Sequence, residues 1–343
     1  MKLAIHQTKG IFTDSWVQYC RDQNVPFKMV NCYESDIISQ LDDCDGLMWH
    51  WNLNDYKVAL FARQLTFSLE KKGIKVFPNF DTGWHYNDKL GQKYLLEAID
   101  APIVPSYIFY SKQAAIKWLL NATFPKVFKL RNGASSSNVR LVKNKQEAMK
   151  LVNKAFGKGF DHVNSYSRLK QRIYKFSLKR DLFSVKLILG GFARLFIPTE
   201  VERLSNKEKD YIYFQDFMPD NYCDFRIHIV GNYCWGFQRA VRKNDFRASG
   251  SGIQSFNLSE VPIEMIRSAF DMASKLNLQS VAFDFVINQK NQPGLVEMSY
   301  CFGFDDEDIS YGYWTPDLVF HKAEFNPFNE MIINFISSLQ RND

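Results

Sequence analysis

The stretch VAFDFVINQKNQPGLVEMSY, Val281 to Tyr300, reads as two apolar strands turned back on each other around Asn291. Each strand carries one carboxylate, Asp284 and Glu297. Hairpin strands bring residues of both arms side by side on one face. A carboxylate within an apolar strand is costly unless it is paired or bound to a cation. A hard divalent cation that keeps some waters and reaches phosphate oxygens satisfies both acids at once. Two carboxylates on a solvent-facing sheet surface is the plainer alternative, and residues outside the hairpin must decide between them.

The surrounding chain has 343 residues, a length for two or three domains. Its hydrophobic (46%) and charged (23%) fractions are those of a soluble globular protein, and 30 Phe with 16 Tyr point to a large packed interior. Six cysteines without a CxxC pair or regular spacing argue against a disulfide framework or zinc site, and for thiols in a reducing compartment. The start, MKLAIHQTKG, does not read as a secretory signal. No apolar run approaches the ~20 residues of a membrane span; LILGGFARLFIP, Leu187 to Pro198, is interrupted by Arg194. The expected location is the cytoplasm.

The first eighty residues alternate short apolar strands (KLAIHQ, FKMVNC, GLMWHW, KVFPN) with helices, one of them at 35–44 capped by Ser35. Such alternation predicts parallel strands with crossover helices. Neither GxGxxG nor GxxxxGK[ST] is present, so neither standard phosphate fingerprint operates. From Asn87 a helix, NDKLGQKYLLEAI, leads through the prolines of APIVPSYIFY into a new unit. There the strand holding Lys129 runs into a turn with three consecutive serines, Ser135, Ser136 and Ser137. Small residues leave N–H groups and hydroxyls uncovered, which suits an anion, although a flexible hairpin is an equally simple reading. Further on, Gly231-Asn232 between DFRIHIV and YCWGFQRAVR predicts a type I′ hairpin.

Net charge is +6, and much of it is local: Arg168 to Lys186 holds seven basic residues and one acid. Leu169, Ile173, Phe176 and Phe183 recur at helical spacing, so the segment reads as a basic amphipathic helix. It is either a packed helix with a solvated cationic face or a contact for something anionic, a substrate or a membrane surface. Nucleic acid ranks last, because no recognition-module signature is present.

The order of these features is distinctive: a helix opening Asp-Lys, a Lys-bearing strand with a small-residue turn, a strand ending FQDF, then DFR, then the paired acidic strands. In that order the chain resembles the ATP-grasp superfamily. Gln215 to Gly252, QDFMPDNYCDFRIHIVGNYCWGFQRAVRKNDFRASGSG, is similar to the hinge, DIR strand and FRSN stretch of the ribosomal-protein glutamate ligase and glutathione synthetase branch. Over nearly its whole length the sequence also resembles ATP-grasp proteins encoded among bacterial surface-polysaccharide genes. The resemblance implies an α/β (α+β) ATP-grasp fold. A parallel α/β domain is expected at 1–86, and an N-terminal subdomain at 87–220 with a basic insertion at about 160–208. A C-terminal subdomain with a metal site is expected at 221–343.

The resemblance also implies roles. Lys89 and Lys129 contact ATP phosphates, and the loop Gly133 to Val139, with Ser135, Ser136 and Ser137, covers them. Gln215, Asp216, Phe217 and Met218 form the hinge against the adenine edge, with Asp220 beyond it toward the ribose. Arg226, Arg239 and Arg247 face the phosphates and the reacting acyl group, and Asp284, Glu297 and Ser299 hold Mg²⁺ (or Mn²⁺). Three departures stand out: one glycine in the loop, Asp216 where Glu is commoner, and Ser299 where the family has an amide ligand. The implied activity is ADP-forming C–N ligation through an acyl phosphate, on a small acid or carboxylated sugar-linked precursor of surface-polysaccharide or peptide modification. A phosphotransferase on the same scaffold, a non-catalytic ATP-binding protein and a basic surface-binding protein remain alternatives. His50 and Trp51 are either sugar contacts or core, and the acids of FDDEDISYGYW, Phe304 to Trp314, either receive an amine or solvate a loop.

Overall fold

Four short strands near the N-terminus, β1 (Leu3–His6), β2 (Phe27–Val30), β3 (Gly46–Met48) and β4 (Lys75–Phe77), pair in parallel in the order β2-β1-β3-β4 in the computed structural model. The structure describes residues 1–343 apart from 54, 134–137, 162–168, 171, 175, 177–181, 194–196, 198–202, 204–205, 243–244, 257–259, 305–310 and 341–343. The expected alternation is present, with helices Ile11–Asp22 and Tyr56–Lys71 as crossovers. The second of these starts at Asp55, whose carboxylate accepts the Lys57 N–H. The helix expected at 35–44 is only Ile37–Gln40, follows Asp36, and has no side-chain cap. Lys72 holds Asp42, while Lys2 and Lys28 both hold Asp43. Both aspartates stand in the turns that feed β3. His50 and Trp51 are packing residues: His50 stacks on Phe12 at 3.6 Å, and Trp51 is buried against Tyr86 and Tyr300.

The second sheet is antiparallel, order β5-β8-β6-β7, from β5 (Ser106–Phe109), β6 (Lys126–Lys129), β7 (Val139–Val142) and β8 (Ile212–Asp216). Helices Lys112–Leu119 and Lys145–Ala155 cover it, started by Ser111 and Asn144 side chains that accept the N–H groups of Ala114 and Glu147. Ala115, Leu119, Phe128, Val142, Leu151 and Phe214 form a core of its own.

The third sheet comprises β9 (Cys223–Val230), β10 (Tyr233–Ala240), β11 (Gln254–Ser255), β12 (Ser280–Ile287), β13 (Pro293–Ser299), β14 (Tyr313–Trp314) and β15 (Phe320–His321). Its order is β13-β12-β9-β10-β14-β15, with β11 on β10. Helix Ile263–Lys275 buries Met265, Ile266, Ala269, Met272 and Ala273 against it, the i, i+4, i+7 face of an amphipathic helix. The Gly231-Asn232 turn joins β9 to β10 as expected, but only Gly231 has positive φ (55°). One left-handed residue at the first central position is the type II′ pattern, not type I′.

The C-terminal helix Pro327–Gln340 returns to the first sheet. Its Met331, Ile332 and Phe335 share a core with Leu3, Ile5 and Trp16 on one side and Val230, Trp235 and Ala282 on the other. The first and third sheets are therefore joined by common packing. The chain enters the second sheet along Pro102–Val104, which pairs with the edge of β13 through Leu295 N–H to Pro102 O and Val104 N–H to Leu295 O. All six cysteines are free, and five of them are buried. Among the described residues no helix is long and apolar enough to cross a membrane.

Candidate active site

The second and third sheets meet across a cleft of about 310 Å³. Residues two apart on a strand share a face, and that rule sets the polarity of the cleft. Val127 and Lys129 enter it from β6, Asp284 and Val286 from β12. One end is walled by Val104, Val127, Met218 and Val286. The other gathers Lys89, Lys129, Asp284 and Glu297.

The hairpin reading holds at its centre: Asp284 and Glu297 are cross-strand partners. The ladder then slips. Phe285 pairs with Leu295, which leaves Val296 as an extra residue without a partner on β12. The bulge allows Leu295 to lie in the core while Glu297, two residues on, lines the cleft. The Val296 carbonyl is where the Lys129 ammonium donates, at 3.4 Å.

Lys89 opens its helix behind Asp88, whose carboxylate accepts Gly91 N–H and binds Arg131 at 2.7 Å. The Lys89 ammonium donates to the Gly133 carbonyl at 2.7 Å and lies 3.3 Å from Glu297. Gly133 in turn donates its N–H to Asn87 Oδ1. The root of the predicted phosphate loop is thus tied to the same ammonium. Ser135, Ser136 and Ser137 lie outside the described residues, as do the acids at 305–308.

Asp284 accepts both Arg226 Nε (2.8 Å) and Arg226 Nη2 (2.9 Å), and Arg239 Nη2 lies 3.0 Å from its Oδ1. Arg239 also holds both oxygens of Asp224 at 2.7 Å. Two carboxylates therefore share one buried guanidinium. Burial lifts the Asp224 carboxyl to about 6; Arg239 opposes the rise and Asp284 adds to it. For Asp284 burial acts the same way, but Arg226 and Arg239 together outweigh it and hold the carboxyl well below its usual range. Glu297 is likewise held ionised, burial being overcome by Lys89 and Lys129. Lys129 moves the other way. Burial pushes its ammonium down to about 8, with Lys89 adding to the fall and Glu297 resisting it.

Among the described residues no group of three or more His, Cys, Asp or Glu could hold a metal unaided. The donor set nonetheless fits a hard cation that takes most of its ligands from elsewhere. A carboxylate offers about four lone-pair sites. Arginine hydrogen bonds use two on Asp284 Oδ1 and one on Oδ2, which leaves one Oδ2 position beside the Glu297 carboxylate. Mg²⁺ is commonly held by one or two carboxylates with phosphate oxygens and waters completing the shell. Ser299 donates its hydroxyl to the Cys301 carbonyl at 3.2 Å.

Of the predicted residues, Lys89, Lys129, Gly133, Gln215, Asp216, Phe217, Met218, Arg247, Asp284 and Glu297 all line the cleft. Gln215 donates to Ser106 Oγ, and Asp216 binds Lys126 at 2.5 Å. Arg226 and Ser299 line an adjoining cavity of about 170 Å³ that also includes Lys89, Gly133 and Glu297. Arg239 sits behind Asp284 and lines neither space. Asp220 is exposed, with φ 62°, and lines neither; the next residue, Asn221, lines the cleft instead. Sequence reading did not single out Asp224, Asn221 or Asp245, which grips Arg247 at the rim. The signal for Asp224 was its position two before Arg226 on one strand, hence on the same face.

No family model matches the chain, and no curated protein matches it. Solved structures do. An ATP-grasp RimK domain protein from Sphaerobacter thermophilus aligns over 98% of this chain and 100% of its own at TM-score 0.55 and 13% identity. A D-alanine–D-alanine ligase from Bacillus anthracis complexed with ATP aligns over 100% and 99% at TM-score 0.56 and 11% identity. The biotin carboxylase domain of the Hydrogenobacter thermophilus 2-oxoglutarate carboxylase, in complex with MgADP and bicarbonate, aligns over 96% and 68% at TM-score 0.57 and 10% identity. With two antiparallel sheets meeting over a cleft beside a parallel α/β unit, this chain has the ATP-grasp fold.

Proposed function

We propose that the protein is an ATP-dependent, Mg²⁺-requiring carboxylate–amine ligase that forms ADP. The observation that carries this reading is the charged end of the cleft, where two buried ammonium groups gather with two carboxylates kept ionised by arginines and lysines. The apolar end suits a flat heterocycle, the charged end its polyphosphate tail. The ATP-bound and MgADP-bound states of proteins with the same fold support that assignment.

The chemistry needs no protein nucleophile. A substrate carboxylate oxygen attacks the γ-phosphorus, the bond to the bridging oxygen breaks, and ADP leaves. An amine nitrogen then attacks the acyl carbon, phosphate departs with the bonding pair, and the nitrogen gives up a proton. Phosphoryl transfer depends mainly on positioning and charge neutralisation. Mg²⁺, held by Asp284 and Glu297, would supply charge neutralisation at the phosphates. Lys89 and Lys129 neutralise phosphate oxygens, and Asp216 with Gln215 frames the apolar end. The adjoining cavity, with Arg226 on its wall, is the space for the acid, a small carboxylic acid or a carboxylated sugar-linked precursor.

The test is ADP release against a panel of carboxylic acids, with and without amines, followed by hydroxylamine trapping. A hydroxamate that forms only with ATP, Mg²⁺ and acid supports an acyl phosphate. ADP formation with phosphate ending on a hydroxyl makes the protein a phosphotransferase, and ATP binding with no ADP across the panel makes it a sensor.

A further inference from the structure

The helix Leu182–Ala193, LFSVKLILGGFA, has one charged residue, Lys186, and is apolar nearly all round. A helix of that composition is ordinarily buried. Here Val185, Leu187, Leu189 and Phe192 are all exposed, Leu189 at 64%, and Ile173 and Ile197 beside them are exposed too. Gly191 is the buried exception: a Cβ there would meet Leu169 at 2.9 Å, and Arg172 donates to the Leu187 carbonyl at 2.7 Å. The helix is therefore seated on Leu169 and Arg172 of its own preceding segment and, among its described side chains, presents Val185, Leu187, Leu189 and Phe192 outward. That preceding segment is the basic one, with seven cations and one acid from Arg168 to Lys186. Tyr174 anchors it to the cleft rim, donating to the Ser251 carbonyl with its ring under the Arg242 guanidinium at 5.4 Å.

From this juxtaposition we infer that the described part of the insertion docks the protein on an anionic lipid bilayer, with the helix Leu182–Ala193 in the interfacial layer and Lys170, Arg172 and Lys186 on the headgroups. Twelve residues make a helix about 18 Å long, too short to span the ~30 Å hydrocarbon core but a fit for an interfacial segment. Charge decides between a membrane and a second copy of the chain. A symmetric dimer through this face would press two equally cationic segments together, whereas anionic headgroups neutralise them. An anionic polymer would satisfy the cations and leave Leu189 and Phe192 in water. The inference is independent of the ligase reading, since its readout needs neither ATP nor turnover.

The experiment is co-sedimentation of the full chain with phosphatidylcholine vesicles, with and without phosphatidylglycerol. Binding should require the anionic lipid and weaken as salt rises. Lys170→Glu with Lys186→Glu, both at exposed positions, should weaken it by about tenfold or more. Leu189→Ser with Phe192→Ser, both at exposed positions, should weaken it by about tenfold or more while the melting temperature stays unchanged. No binding to phosphatidylglycerol vesicles would overturn the inference. So would binding that survives the serine pair, which would make charge alone sufficient, or a stable dimer dissolved by the serine pair in a chain that ignores vesicles.

Discussion

Lys129→Met is expected to make the ligand-free protein more stable at neutral pH while removing its hold on nucleotide. The Lys129 side chain is 4% exposed, and burial brings its ammonium from 10.5 to about 8. In the unfolded chain the group keeps its ordinary value, so below pH 8 the fold carries a charge it disfavours. At 1.36 kcal/mol per pH unit that difference is about 3 kcal/mol. The sign follows from linkage. Between pH 8 and 10.5 the unfolded state binds the extra proton, so wild-type stability rises with pH there and the penalty fades. Methionine, unbranched and of similar reach, removes the charge and leaves the Val296 carbonyl without a weak donor, a loss of about 1 kcal/mol or less. Denaturant unfolding should therefore find Lys129→Met more stable by about 2–3 kcal/mol at pH 7, with an advantage about 2 kcal/mol smaller at pH 9.5. Calorimetry should find ATP binding weakened by about tenfold or more. A variant less stable than wild type at pH 7, or a gain independent of pH, would refute the account of Lys129 as a charge held for a ligand.

Glu297→Gln should lower ADP release by about a hundredfold or more while the melting profile persists, because a neutral amide both loses the cation and leaves Lys89 and Lys129 unbalanced; near-normal turnover would count against the metal assignment. Gly236→Ala should cost about 1–3 kcal/mol in denaturant unfolding, since its Cβ would lie 2.8 Å from the Arg226 carbonyl and 2.6 Å from Ile227 Cδ1. An unchanged midpoint would mean that β9 and β10 yield more readily than their pairing implies. Asp216→Ala should cost about 3 kcal/mol, because Lys126, 6% exposed at its side chain, keeps among the described residues a long hydrogen bond to Thr123 Oγ1 (3.5 Å) and the rings of Tyr107 and Trp118 around its charge, and no carboxylate. A loss under about 1 kcal/mol by the same assay would make that pair a surface contact in energetic terms.

How much could be read from sequence followed how local the signal was. Alternating strands and helices before residue 80, the hairpin of acidic strands and the helix at Ile263–Lys275 each announce themselves within a dozen residues. The cleft residues were legible through the order of motifs, and most of those described come together as expected. What escaped depends on distant partners. The segment 35–44 turns where Asp42 and Asp43 pair with lysines at positions 72, 2 and 28, the C-terminal helix packs on strands near the N-terminus, and Asp224 matters because Arg239 comes back beside it in a neighbouring strand. Asp220 lies just outside the cleft lining, at a left-handed position that a degenerate hinge motif does not encode.

The irregular spot at Val296 has a consequence for anyone transplanting or trimming this site. A hairpin shortened by that one residue would pair without interruption from Phe285 through Ala282, keeping Leu295 and Met298 inward and Glu297 toward the cleft. Yet Lys129 would then find no main-chain oxygen waiting for it. Residue count at this point serves the Lys129 contact and not the pairing of the two strands. Exchanging the valine for another side chain should be far gentler than excising it, and a graft into a foreign sheet has to bring the surplus residue along with the acids.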